Sequence, residues 1–351
     1  MKELHFASFI VFVAILVTWF GQANAAPAER RLPEAEVHKA SEGAAKQPPQ
    51  QPGIHVMHEL EHGGLKRTYS LYLPKDYDPA KKYPLVMALH GGGGNAAKWP
   101  PYTNHCFEHL SDRDGFILVY PEGIDGQWND KRGVEHFKAQ KEDIDDVGFL
   151  SALLDFLAGT YAVDRDRIYV LGASNGGMMT DYLAAEISDK LAAIATVIAS
   201  IPENLAGKLH PTSPLSVLMI NGTEDPLVKW GGGEVKFGRS ENGYVIPVQK
   251  TVDFWVRSIK ADPTPVVTEM PVVDKNDDTR VSRSVYSGGI GGNEVVLYTV
   301  KGGGHTWPAR KDKRGFLKKL LVDKMVGKKS RQIDTCQIIW DFFKKHPKRT
   351  K

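Results

Sequence analysis

The stretch that most constrains this chain runs from Ile168 to Gly177. Ile168-Tyr169-Val170-Leu171 leads into Gly172-Ala173-Ser174-Asn175-Gly176-Gly177, and the helical pattern Gly176–Ser188 follows. This is G-x-S-x-G in the setting that the motif demands, strand, then tight turn, then helix. Glycines on both sides let the backbone bend sharply, so the serine hydroxyl stands free at the end of the strand. The helix that follows aims its positive N-terminus at the same place, where developing negative charge is stabilised. The bare pentapeptide is common; its flanks make Ser174 a candidate nucleophile.

The rest of the chain supplies matching parts. Leu85–His90, Phe116–Tyr120, Ile168–Gly172, Ala193–Ile198, Leu215–Asn221 and Val295–Val300 are short apolar runs suited to buried strands, and Arg67–Leu73 reads as a half-exposed one. Helical patterns lie between and around them, at Asn104–Arg113, Asp145–Tyr161, Gly176–Ser188, Val248–Ile259 and Thr335–Lys345. This alternation predicts an α/β fold with a mainly parallel central sheet and helices on both faces. A length of 351 residues accommodates one such domain.

The N-terminus has a different character. An apolar run from Phe6 to Phe20 precedes Ala23-Asn24-Ala25, the small-x-small pattern of a cleavage site, so residues 1–25 read as a signal peptide. The run is too short for a spanning helix, which needs ~20 apolar residues, so no membrane insertion is expected after cleavage. Residues 26–53 read as a flexible leader rich in Ala, Glu, Lys, Gln and Pro, and 54–351 as the domain. A net charge of +3 gives no argument for a nucleic-acid partner.

A serine nucleophile needs a base, and the base an orienting acid. Gly302-Gly303-Gly304-His305 follows the last strand pattern, on a loop free enough to return His305 over the sheet. Just past another strand end, Glu224 and Asp225 both satisfy the chemistry of the acid; Pro226, fixing the turn, favours Asp225. The order Ser–Asp–His along the chain is that of α/β-hydrolases. An oxyanion needs donors: the backbone N–H of Gly92, in His90-Gly91-Gly92-Gly93-Gly94-Asn95, is one candidate and that of Asn175 the other. The glycine run lacks the Gly-Lys-Ser/Thr ending of a phosphate-binding loop. This chemistry requires neither a metal nor another cofactor.

The motifs LHGGGGN, VYPEGIDGQWND, DDVGFLSALLDFL, YAVDRDRIYVLGASNGGMMT, NGTEDPLVKWGGG, KGGGHTWP and IIWDFFKKH, in that order, resemble the polyhydroxybutyrate-depolymerase-like esterases, a group that includes the feruloyl and acetylxylan esterases of carbohydrate esterase family one. The resemblance spans about Gly63 to His346. It implies Ser174 as nucleophile, Asp225 as acid and His305 as base, with Trp128 and Trp307 lining a substrate cleft. Trp230, on the loop after Asp225, is expected there too. The implied function is a secreted serine ester hydrolase acting on ester-linked polymers or their fragments. A feruloyl or acetylxylan ester is favoured over hydroxyalkanoate oligomers because no polymer-binding domain is attached. Gly92 stands where many members carry Cys, a change that leaves a backbone donor unaffected. A prolyl-oligopeptidase-like peptidase and a non-catalytic adhesion module are less consistent readings: the first lacks room for a propeller, and the second typically loses a triad member.

Other features read as structural. Arg310, Lys311, Lys313, Arg314, Lys318, Lys319, Lys324, Lys328, Lys329 and Arg331 form a basic insertion at about 309–331, read as a solvated loop that could border the cleft and attract an acidic polymer. Asp145 and Asp146 read as helix-start acids. His55, His58 and His62 have loose metal-ligand spacing without a supporting Cys or carboxylate cluster, so no metal site is expected. Cys106 and Cys336 fall in the first and last helices, which in α/β-hydrolases commonly cover one sheet face; that geometry permits a disulfide, and Cα atoms more than ~7 Å apart would exclude it.

Overall fold

The strands without a polar face are the ones in the middle of the sheet. The computed structural model describes residues 50–237, 240–310 and 316–348. The signal-peptide reading and nearly all of the leader therefore lie outside the described residues, as does part of the basic insertion. In chain order the strands are β1 (Val56–His62), β2 (Leu65–Tyr72), β3 (Tyr83–Leu89), β4 (Ile117–Pro121), β5 (Val163–Ala173), β6 (Ala193–Val197), β7 (Ser216–Gly222), β8 (Gly233–Phe237), β9 (Ser240–Val245), β10 (Val266–Glu269), β11 (Arg280–Tyr286) and β12 (Val295–Lys301). Ten of them form one sheet in the order β1-β2-β4-β3-β5-β6-β7-β12-β11-β10. The central run from β4 to β12 is parallel, and the strands on either side of it are antiparallel. Every residue of β3, β4, β6 and β7 is buried, as parallel strands covered on both faces require.

Six helices matter to the site: α1 (Cys106–Asp114), α2 (Asp146–Thr160), α3 (Asn175–Glu186), α4 (Val248–Ser258), α5 (Phe316–Val326) and α6 (Thr335–Lys345). Alternate residues of each central strand feed two separate cores. On one face Leu85, Met87, Ile168 and Val170 meet Phe149, Leu153, Met179, Leu183 and Trp255 from α2, α3 and α4. On the other, Val86, Ala88, Tyr169 and Leu171 meet Phe107 and Leu110 of α1 and Ile339, Trp340 and Phe343 of α6. The α2 contact residues Phe149, Leu150, Leu153, Leu154 and Leu157 recur at helical spacing along one side. Asp145 caps that helix by accepting from the Gly148 N–H, and Asp334 caps α6 by accepting from Gln337.

A disulfide joins Cys106 in α1 to Cys336 in α6, with Cα atoms 6.2 Å apart and 230 residues between them in sequence. Closing so long a loop removes entropy chiefly from the unfolded chain. Cys106→Ser is expected to lower unfolding stability by about 2–4 kcal/mol, measured by urea denaturation in non-reducing buffer; an unchanged midpoint would show that the crosslink does not stabilise this fold.

Several elements differ from the sequence expectation. β1 and β2 form a hairpin whose turn is Gly63-Gly64, at φ 59° and 73°, a conformation that glycine adopts without strain. β8 and β9 form a separate hairpin. Part of the stretch read as a basic loop is helical, α5. Asp146 stands at the helix start as expected, and it is also buried and pairs with Arg67 of β2 at 2.6 Å. His55, His58 and His62 bond to Ser70 and Glu108, Gln50, and Asp145 respectively. No helix among the described residues is long and apolar enough to cross a membrane.

Candidate active site

The four loops that carry the candidate residues all leave carboxyl ends of parallel strands: Gly91–Asn95 after β3, Ser174 after β5, Asp225 after β7 and His305 after β12. In open α/β sheets this is the edge where ligands bind. Ser174 has φ 53° and ψ −122°, a strained conformation for a residue with a side chain. It persists because the turn is packed without spare room. A Cβ on Gly172 would lie 2.2 Å from the Gly176 carbonyl oxygen, and one on Gly176 would lie 2.3 Å from that of His90. Glycine is therefore needed at both positions for contact as well as for bending. The Ser174 N–H donates to the Val197 carbonyl at 3.0 Å, tying the turn to β6.

His305 Nε2 lies 2.9 Å from Ser174 Oγ, and His305 Nδ1 lies 2.7 Å from Asp225 Oδ2. Asp225 Oδ1 accepts from the N–H groups of Leu227 and Val228, at 2.8 and 2.9 Å. Its carboxylate is thus aimed by its own turn, with one oxygen held by backbone and the other free for the imidazole. Glu224 is exposed; its N–H donates to Gly303, which ties the acid's loop to the histidine's. The order and the contacts give a hydrogen-bonded line from carboxylate to hydroxyl. Such a line can deprotonate a serine and stabilise the imidazolium that results.

The candidate oxyanion donors flank Ser174. A Cβ on Gly91 would be 3.5 Å from Ser174 Cβ, so the glycine loop lies against the nucleophile turn. The Gly93 and Gly94 N–H groups are used within loops, to Gly126 and Gly91. Gly92 follows Gly91 in the loop, and Asn175 begins α3, where backbone N–H groups have no intrahelical acceptor.

Sequence reasoning did not identify the groups that hold this loop. Burial pushes the His90 imidazole down to about 4, so it is neutral. The Gly123 N–H donates to His90 Nε2 at 3.0 Å, which leaves the ring proton on Nδ1, facing the Gly91 carbonyl at 2.9 Å. The Asn175 side chain accepts from the Trp128 N–H and donates to Asp130 Oδ2. Asp130 in turn pairs with buried Arg132 at 2.8 Å, and Arg132 donates to the Asn242 carbonyl of β9. The Asn129 N–H donates to Asp146, the partner of Arg67. A buried polar network thus connects the residue after Ser174 to the 122–132 loop and the β8–β9 hairpin.

The three tryptophans expected at a cleft are placed differently. Trp128 is fully buried, with its indole N–H donating to the His90 carbonyl at 2.9 Å, so it braces the glycine loop instead of facing substrate. Trp307 is also buried, under the His305 loop, in ring contact with Trp99, Tyr102 and Phe107. Only Trp230 is partly open, packed on the core beside α4. No ring contact joins the three among the described residues. The basic stretch does reach the site: the His305 N–H donates to the Val326 carbonyl at 2.5 Å, and Gly304 and Gly327 are packed backbone to backbone.

Residues 62–204 match the family model described as "Putative esterase". Over 291 residues the chain is 32% identical to "Putative esterase NocK" of Nocardia uniformis subsp. tsuyamanensis, covering 81% of each chain. It is 25% identical over 241 residues to "Feruloyl esterase B" of Piromyces equi, covering 68% of this chain and 42% of that relative, so it spans less than half of the latter's length. Among solved structures, "Acetyl xylan esterase from Aspergillus awamori" shares the fold, with a TM-score of 0.50 at 15% identity over 72% of this chain and 94% of that one. A shared fold carries no substrate, but the sequence match to the first relative extends over most of both chains. On these grounds the chain belongs to the esterase family of the α/β-hydrolase superfamily and is a carboxylic-ester hydrolase.

Proposed function

We propose that the chain is an exported serine esterase that releases feruloyl or acetyl groups from plant polysaccharide or its fragments. The observation that carries the mechanism is the continuous hydrogen-bonded line Asp225–His305–Ser174. His305 Nε2 takes the proton of Ser174 as its oxygen attacks the ester carbonyl. The Gly92 and Asn175 N–H groups hold the oxygen that becomes negative. Asp225 keeps the imidazole oriented and stabilises it once it is charged. His305 then gives the proton to the leaving alkoxide, leaving an acyl group on Ser174. Water, deprotonated by the same imidazole, releases the acid and restores the serine.

The choice of ester rests on the motif resemblance and on relatives named as feruloyl and acetylxylan esterases. Export is supported by the apolar N-terminal run followed by Ala23-Asn24-Ala25, and by a disulfide, a bond characteristic of oxidising compartments. The test is one assay of the protein without residues 1–25 on methyl ferulate, acetylated xylan and soluble hydroxybutyrate oligomers. Release of ferulate or acetate is the expected result. Cleavage of the oligomers alone would move the enzyme to the polyester hydrolases, and no turnover on any ester would overturn the proposal.

A further inference from the structure

Beside the proposed oxyanion loop stands Gln127, a polar side chain that the mechanism leaves unused and that is 7% exposed. Its neighbours fix it from both sides. The Gly126 carbonyl accepts from the Gly93 N–H at 2.8 Å, and the Trp128 N–H donates to Asn175 Oδ1 at 2.8 Å. Gln127 is therefore held between the loop that carries Gly92 and the residue that follows Ser174. Its amide lies over Gly92: a Cβ there would be 3.0 Å from Gln127 Oε1 and 3.1 Å from Nε2. Gly92 does not have the left-handed φ that would demand glycine. The glycine at this position instead leaves space, and the Gln127 amide fills it.

Among the described residues the Gln127 amide has no hydrogen-bond partner. The amide is not sealed from solvent, so it is open to a molecule that enters beside Gly92. Its place beside Gly92 means that a substrate oxygen bound there would supply the missing acceptor. We infer that Gln127 is a substrate-contacting residue whose side-chain N–H groups donate to the carbonyl oxygen as it becomes the oxyanion, joining the backbone donors of Gly92 and Asn175. This rests on the reading of Ser174 as the nucleophile and deepens it by one residue.

The experiment compares Gln127→Leu, Gln127→Glu and Gly92→Ala with the wild type in 4-nitrophenyl acetate kinetics, phenylboronic acid inhibition and thermal melting. Phenylboronic acid is the probe because it adds to a nucleophilic serine as a tetrahedral adduct. Gln127→Leu should lower kcat by about 100- to 1000-fold, the scale of losing one oxyanion donor, with KM nearly unchanged. Boronate affinity should fall in parallel, and the melting temperature should stay near that of the wild type. Gln127→Glu should lose more, since its carboxylate faces the developing negative charge. Gly92→Ala keeps the amide and the N–H but pushes the amide aside, and reads the same loss if Gln127→Leu fails to fold. A kcat within about twofold of wild type, against the larger loss a donor implies, would overturn the inference; so would lost activity with unchanged boronate affinity and lowered melting. Ser174→Ala separates the two levels. If it is inactive while Gln127→Leu is normal, only the role of Gln127 fails. If it retains wild-type turnover, the reading of the whole site fails.

Discussion

Ser174→Ala is expected to reduce ester turnover by about 10⁴-fold or more, the range seen when a triad nucleophile is removed, while the melting temperature stays near that of the wild type. The two halves of this prediction have separate causes. Turnover is lost because the hydroxyl that stands 2.9 Å from His305 Nε2 at the end of β5 is gone. Stability is kept because the structural bonds of the turn are made by backbone, the Ser174 N–H to Val197 and the Met178 N–H to the Ser174 carbonyl. Alanine carries the same backbone strain at φ 53° as serine does, so the substitution adds none. A variant that lost activity by unfolding would lack the cooperative melt and would show it directly.

Asp225→Asn should cost about 10⁴-fold in kcat, by analogy with the loss when a triad aspartate is made neutral. The contacts show why an amide cannot substitute. Oδ1 accepts two N–H groups, from Leu227 and Val228, so the amide NH₂ of Asn cannot occupy that side without facing two donors. The carbonyl oxygen must therefore stay there, and the NH₂ turns toward His305 Nδ1. A donor at that position makes Nδ1 the acceptor and moves the ring proton to Nε2, facing Ser174, where the base should be. The imidazolium that forms during attack also loses its counter-charge. Raising pH should restore part of the activity only if the tautomer defect is relieved by hydroxide acting as base; the rate should then climb steadily where the wild type has levelled off. A variant with more than a tenth of wild-type kcat, a loss far below that expected on this mechanism, would remove Asp225 from its role.

How much of this molecule was legible in its sequence followed from burial. β3, β6 and β7 are covered on both faces, so their sequences are nearly continuous apolar runs that identify themselves. The edges of the sheet do not: all four residues of β10 are exposed, and β1, Val-Met-His-Glu-Leu-Glu-His, buries only His58. Helix α5 was hidden by its lysines, which suggested a solvated loop, and its described residues Leu321 and Met325 are indeed exposed rather than packed. Asp146 was legible as a helix-start acid, but its partner, Arg67, was not, because it lies on a strand 79 residues earlier, a distance that no local pattern spans.

The candidate site shows the same division. Ser174, Asp225 and His305 are each marked by a local motif at a strand end, and the fold brings all three into contact. Trp128 and Trp307 were expected at a cleft because the motif resemblance implies it. Their actual work depends on where an indole N–H or a ring edge finds its partner, the His90 carbonyl in one case and Trp99 in the other. The Asn175–Asp130–Arg132 network was equally invisible, since its members are polar residues in a loop and only the fold buries them together.

The central claim is that ester cleavage passes through an acyl group on Ser174. It is tested most directly by quenching the enzyme in acid during turnover of 4-nitrophenyl acetate, digesting it and mapping the modified peptide by mass spectrometry. The account predicts one acetyl group, on the peptide that contains Ser174, absent from Ser174→Ala and accumulating in Gln127→Leu more slowly than in the wild type. An acetyl group on any other residue, or undiminished turnover with no covalent intermediate in the wild type, would contradict it.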